Sequence, residues 1–198
     1  MKDDLYEVRN SIYCYEGTNV LINKLNIKDN NLLKKAETKI VMTKLFELRK
    51  NEHIGNFDIE HILWIHKYLF EDIYPFAGKI RTENIAKGFF SFAEWQYIAE
   101  ELEKLLNKLK EQNYLLDDTR EEFIKDLAYY MSELNVLHPF REGNGRTTRE
   151  FIRELAWKNG YILDMQNITA KDMLDASIKS VVDTQMLERI LDICLIKK

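Results

Sequence analysis

The chain has 198 residues, 45% of them hydrophobic and 31% charged, the balance of one globular domain, or one domain with a small appendage, large enough to bury a core. Two prolines and seven glycines favour helix and argue against an all-β or disordered chain. A net charge of −4, from 29 basic and 33 acidic side chains, gives no whole-chain reason to expect nucleic-acid binding, and no apolar run approaches the length of a membrane span.

The start, Met1-Lys2-Asp3-Asp4, leads into no apolar stretch, so no signal peptide is expected. Residues 1–30 read as an irregular lead-in that Val20, Leu21, Ile22 and Leu25 anchor on a core, and residues 31–198 as the helical domain proper. Cys14 and Cys194 have neither metal-site spacing nor a disulfide framework and read as free thiols of a cytoplasmic protein. From Asn31 to about Lys50 the pattern is helical, with Leu33, Ala36 and Ile40 on one face and Val41, Leu45 and Leu48 beside it. Gly55 and Asn56 break it, and Asp58 caps the next helix, which carries Ile59, Ile62, Leu63, His66, Leu69 and Phe70. His61 and His66 are five apart, on different helix faces, which argues against a metal pair.

Pro75 and Gly78 then punctuate the chain. Two extended runs, Lys79 to Ala86 and Phe89 to Ala93, flank Lys87-Gly88 and predict a β-hairpin over about 79–93. An amphipathic helix with Leu102, Leu105, Leu106 and Leu109 follows. Thr119-Arg120-Glu121-Glu122 fits a capping box for a helix presenting Phe123, Leu127, Tyr130, Met131 and Leu134. Later helices carry Phe151, Ile152 and Leu155, ending near Gly160, and Met173, Leu174 and Ile178 behind a Thr169 cap. A last helix, about 184–196, has Leu187, Ile190, Leu191 and Cys194 on one stripe. The fold class is all-α, with a single β-hairpin and no doubly wound sheet.

Between the fourth and fifth helices lies His138-Pro139-Phe140-Arg141-Glu142-Gly143-Asn144-Gly145-Arg146-Thr147-Thr148-Arg149. Pro139 disfavours the α conformation for His138, so the helix before it ends there. Gly143-Asn144-Gly145 lets backbone approach a ligand closely, and a helix starting at Asn144 or Gly145 aims free N–H groups at an anion. Arg146 and Arg149 share a helical face and reach the same anion. Glu142 beside that nest repels bare phosphate, which makes sense with Mg2+ between them. His138 is a base able to take a proton from a hydroxyl. Each part alone is common in turns and solvated faces; the combination is specific, because a plain turn needs no His, Glu, Asn and two Arg at fixed offsets.

The run resembles the signature of the Fic family, H-x-F-x-[D/E]-G-N-G-R-x-x-R, with every defining position filled. Tyr74 to Arg81 and Asn84 to Gly88 resemble the segment leading into the family's hairpin flap. Tyr15 with Gly17-Thr18-Asn19-Val20 resembles its lead-in, with Glu16 where Pro is common. The resemblance implies a Fic-type helical domain that transfers AMP from ATP to a Tyr, Ser or Thr hydroxyl of a target protein. His138 would be the base and Glu142 the Mg2+ ligand. Gly143, Asn144 and Gly145 would form the anion hole, and Arg146 and Arg149 would hold the outer phosphates. The flap residues Ile85, Ala86, Lys87, Gly88, Phe89, Phe90 and Ser91 would pair with an extended target segment. Phosphorylating relatives have Lys at the position of Gly145.

Many members also carry an inhibitory helix with the pattern [S/T]-x-x-x-E-[G/N]. Thr184 and Glu188 match it, with Arg189 in place of Gly or Asn, and Glu188 is expected to pair with Arg149 where the γ-phosphate would lie. The implied partners are ATP and a target protein, with no membrane and no nucleic acid; self-association stays open. Rival readings are a Fic-fold phosphotransferase or a user of another nucleotide, a catalytically silent helical interaction module, and a nucleic-acid-binding helical domain.

Overall fold

The computed structural model describes residues 11–50, 54–88 and 90–198; the start Met1-Lys2-Asp3-Asp4 and the flap residue Phe89 lie outside these. The described residues form α1 (Asn30–Lys50), α2 (Ile59–Phe70), β1 (Ala86–Lys87), β2 (Phe90–Ser91), α3 (Ile98–Glu111), α4 (Arg120–Leu137), α5 (Asn144–Lys158), β3 (Tyr161–Leu163), α6 (Ala170–Lys179), α7 (Gln185–Cys194) and β4 (Leu195–Lys197).

Local chemistry sets most of these boundaries. The Asp58 carboxylate accepts the His61 N–H at 2.9 Å and starts α2. Thr119 and Glu122 close a reciprocal capping box on α4, and the Thr169 hydroxyl accepts from Asp172 N–H to start α6. Gly160, at φ 80°, follows the end of α5.

Helices α4 and α5 pack together at the centre, with α2 against α5 and α3 and α7 against α4. Their buried faces supply the core: Ile65, Leu69 and Phe70 from α2, Leu127, Tyr130 and Leu134 from α4, Phe151, Ile152 and Leu155 from α5, and Leu187 and Leu191 from α7. Burying each such side chain contributes about 1.5–3 kcal/mol. In the lead-in, Val20 and Leu21 are buried, and Lys24 N–H donates to Ile73 O, tying residues 11–29 to the end of α2.

Two sheet expectations change. The flap is an antiparallel pair of two-residue strands, with Ala86 opposite Ser91 and Lys87 opposite Phe90, far shorter than the runs 79–86 and 89–93. Ile85 O still accepts Phe92 N–H across the flap, but residues before it bond elsewhere: Lys79 N–H goes to Phe76 O and Arg81 N–H to Pro139 O. A second ladder pairs β3 with β4, because the last helix ends at Cys194, where an extended Leu195 lets Tyr161–Leu163 pair with Leu195–Lys197.

Candidate active site

Helix α4 delivers His138 as its C-terminal cap, in the left-handed region at φ 46° and ψ 61°. A non-glycine residue there costs about 1–2 kcal/mol, so surrounding contacts must hold it. One buried guanidinium does much of this. Arg81 donates from Nε to His138 O at 2.8 Å, from Nη1 to Glu83 O at 2.6 Å, and from Nη2 to Ala93 O at 2.5 Å and Leu137 O at 3.4 Å. A cation at a helix C-terminus satisfies carbonyls that lack partners within the helix. Arg81 thereby fastens both ends of the flap segment to the turn that presents His138.

The imidazole itself is fixed on two sides. Nδ1 lies 2.9 Å from the Asn135 carbonyl, which can only accept, so Nδ1 carries the proton and Nε2 the lone pair. The Phe92 ring stacks on it with centroids 3.7 Å apart. Burial, with the charges of Arg81 and Lys87, pushes its pKa down to about 3 against the pull of the Asn135 carbonyl. His138 is therefore a neutral imidazole at physiological pH, the form a general base requires. Asn135 is steadied in turn by its amide donating to Ser177 O in α6.

The loop after His138 is held from α2. Phe140 is buried and stacks on His66 at 3.8 Å with rings 1° from parallel. Gly78 N–H donates to His66 Nδ1 at 2.8 Å, so Nε2 carries the hydrogen and donates to Glu142 O at 2.9 Å. Burial pushes His66 to about 3, and it is neutral as well. Asn144 accepts Phe140 N–H and donates to Phe140 O, at 2.8 and 2.7 Å. Its side chain is thus a loop staple, and what it offers an anion is its backbone N–H. Gly143 caps α5 at φ 83°, and a Cβ there would lie 2.4 Å from the Phe70 ring, so both backbone and space demand glycine. Arg146 N–H bonds to Gly143 O, so the N–H groups of Asn144 and Gly145 are the donors left at the start of α5.

Around that nest the charges are unequally paired. Arg146 Nη1 contacts Glu37 Oε1 at 2.5 Å, its Nη2 lies 3.3 Å from Glu142 Oε1, and its guanidinium sits 4.7 Å over the Phe70 ring. The Tyr74 hydroxyl donates to the other oxygen of Glu37. Glu142 Oε1 also accepts Gly143 N–H at 2.8 Å. Burial and then Glu37 push the Glu142 carboxyl above its usual range, opposed by Arg146, the Gly143 N–H and Arg141. Burial works against the charge of Arg146, but Glu37 and Glu142 outweigh it and raise its pKa.

Arg149 differs. Burial, then the charges of Arg146 and Arg49, lower its pKa, and among the described residues no carboxylate pairs with it. Gly145 lies directly against it: a Cβ there would come 3.1 Å from Arg149 Nη1. A half-buried guanidinium with open donors beside a helix N-terminus has the chemistry to take an anion.

Among the described residues no three His, Cys, Asp or Glu side chains cluster into a metal cage. Glu142 alone fits Mg2+, which is held through one or two carboxylates plus phosphate oxygens and water. Glu37 and Glu142 crowding a single Arg146 leave an excess of negative charge that a cation would offset.

The model of the Fic/DOC family matches residues 56–156, half of the chain, including the motif from His138 to Arg149. The chain belongs to the Fic/DOC family. It is 41% identical over 175 residues to the protein adenylyltransferase VbhT of Bartonella schoenbuchensis, covering 88% of this chain and 37% of VbhT. It is 36% identical over 170 residues to the Sinorhizobium fredii protein named "Probable protein adenylyltransferase y4lH", covering 84% of this chain and 86% of that one. Its fold matches the crystal structure of BepC from Bartonella tribocorum with bound AMPPNP at a TM-score of 0.88 and 28% identity, covering 94% and 97% of the two chains.

Within this Fic domain the inhibitory pairing expected at the last helix is not formed. Thr184 Oγ1 donates to Glu188 Oε1 at 2.6 Å, while Asp183 supplies the capping contact to Gln185 N–H. Glu188 lines a surface cavity with Arg120, Glu121, Lys125 and Asp192, at the start of α4. His138 caps the other end of α4, and the thirteen residues from Lys125 to Leu137 span about 18 Å. Glu188, Arg189 and Asp192 of α7 face the first turns of α4, and among the described residues Glu188 makes no pair with Arg149.

The flap approaches His138 through Phe92, whose ring stacks on the imidazole, and through the charge of Lys87. Ile85 is buried as an anchor, Ala86, Lys87 and Phe90 are half-buried, and Gly88, at φ 61°, and Ser91 are exposed. Sequence reasoning missed Arg81, Phe92, Glu37, and the bonds that tie His66 to the motif. Only Glu37 left a trace in the pattern: it is a carboxylate on the buried stripe of α1, four residues from both Leu33 and Val41.

Proposed function

We propose that this chain is a protein adenylyltransferase that moves AMP from ATP to a Tyr, Ser or Thr hydroxyl of a target protein. The observation that carries the reading is the neutral, oriented His138 imidazole beside an anion nest whose Arg149 has no carboxylate partner among the described residues. The names of VbhT and y4lH and the nucleotide analogue in BepC support it.

The outer phosphates bind Arg149 and Arg146 and the N–H groups at the start of α5. The target hydroxyl attacks the α-phosphorus in line, His138 Nε2 takes its proton, and pyrophosphate leaves. Nothing covalent is asked of the protein, so positioning and charge neutralisation supply the acceleration. Glu142 would hold Mg2+, which supplies charge neutralisation at the phosphates. The exposed edge of the flap takes an extended target segment by main-chain pairing, independent of target sequence. Gly145 leaves Arg149 room to face a phosphate, and no lysine stands there to redirect the chemistry to phosphorylation.

No described helix is long and apolar enough to cross a membrane, and Cys14 and Cys194 are free thiols. Free thiols accord with action in the cytoplasm. The test is mass spectrometry of target proteins incubated with ATP and the chain: an added adenylate on a hydroxyl side chain, lost with His138→Ala, is expected. Equal modification by His138→Ala would refute the assignment.

A further inference from the structure

The motif assigns Arg146 to the nucleotide but leaves unexplained a buried carboxylate from the other end of the chain. Glu37 is 8% exposed on a face of α1 otherwise made of Leu33, Val41 and Leu48. An ionised carboxylate on such a face is costly unless paired and hydrogen-bonded. Both its oxygens are engaged: Oε1 on Arg146 Nη1 at 2.5 Å, and Oε2 by the Tyr74 hydroxyl. Tyr74 is itself fixed, buried and stacked on Phe76 at 4.8 Å. The chain Tyr74–Glu37–Arg146 is thus a rigid strut from the core to the site.

We propose that Glu37 is a positioning residue for nucleotide binding, holding the Arg146 guanidinium against Phe70 with its other donors turned to the phosphates. The proposal rests on the nucleotide-site reading above. An arginine side chain is long and loses much rotamer freedom when it grips an anion. With Nη1 anchored on Glu37 and its plane lying on Phe70, Arg146 has lost that freedom before the nucleotide arrives. Its Nη2 is only weakly engaged by Glu142 at 3.3 Å, so the outward edge remains available.

The test is a double-mutant cycle read by calorimetric titration with ADP in magnesium buffer, which needs no turnover. Glu37→Gln keeps the shape: the amide oxygen accepts from Arg146 and the amide NH2 donates to Tyr74. Only the charge that anchors Arg146 is removed. Glu37→Gln is expected to weaken ADP binding about tenfold, the size of one charged hydrogen bond. In an Arg146→Ala background the same substitution should change ADP affinity no further, since the residues act as one unit. Unchanged or tighter binding by Glu37→Gln overturns the proposal, as does an equal loss in the Arg146→Ala background, which would mark a purely structural role. If Glu37→Gln does not fold, Tyr74→Phe carries the same cycle, with a loss of about two- to threefold expected from one neutral hydrogen bond. Wild-type ADP affinity in Arg146→Ala alone would overturn the nucleotide-site reading beneath the proposal, and the proposal with it.

Discussion

The ring of Phe92 lies on the imidazole of His138, centroids 3.7 Å apart and planes 22° from parallel. The residue just beyond the second flap strand thus forms one wall of the base, and the element that would present the target hydroxyl also orients its acceptor. Phe92→Ala removes that wall. The imidazole gains freedom and water, so its pKa should climb from about 3 towards the ordinary histidine value. Adenylate transfer should fall about tenfold or more through misorientation. An NMR titration of His138 alongside initial rates checks both, and unchanged values of both would show that the stack is incidental.

Arg81 gives a prediction about stability. Its guanidinium serves four carbonyls, and three of them belong to the turn and the flap: Leu137, His138 and Ala93. Arg81→Met should destabilise the fold by more than about 3 kcal/mol, since several buried acceptors lose their donor together. Arg81→Lys should recover little, because one ammonium cannot reproduce the planar fork. Urea unfolding measures both.

The two depressed histidines set a pH dependence. His66 and His138 both titrate at about 3 in the folded chain, while the unfolded chain has the ordinary histidine value near 6.5. Between these values the unfolded state binds more protons, so stability rises with pH. It is fully present above about 6.5 and is lost as pH falls towards 3. Each histidine contributes about 1.4 kcal/mol per pH unit inside that window. Unfolding free energies measured from pH 4 to 6 should therefore have a slope that His66→Gln lowers by about that amount. An identical slope would contradict the buried neutral assignment.

Glu188 sits with Thr184 and near Lys125 at the far end of α4 from His138. Glu188→Ala should leave the initial rate of adenylate transfer within about twofold of wild type and stability within about 0.5 kcal/mol, as for a surface change. A large rise in rate would restore the inhibitory pairing with Arg149 that this structure does not form.

Much of the site was legible because its parts are local. Pro139 ends α4 at His138, Gly143 takes the conformation that opens α5, and Asp58, Thr119 and Thr169 cap the helices expected of them. Their causes lie within three or four residues, where spacing is informative. What stayed hidden depends on contacts across the chain. Nothing near Arg81 says that its partners are the carbonyls of residues 93, 137 and 138, and nothing near Glu37 names Arg146. The length of the flap strands is not legible, because extended backbone before Ala86 looks the same in sequence whether it bonds to a strand or, as at Arg81, to the motif loop. The apolar stripe of α7 shows which face is buried but not which half of α4 covers it, and so does not reveal that Glu188 meets Thr184 and the start of α4.

His138 and the anion nest are proposed to move an adenylate rather than a phosphoryl group. The most direct measurement incubates the chain and a cell extract in parallel with ATP labelled at the α-phosphate or at the γ-phosphate. Protein-bound label is expected from α-labelled ATP alone, and none with His138→Ala. Label retained from γ-labelled ATP, or α-label transfer that survives His138→Ala, would contradict it.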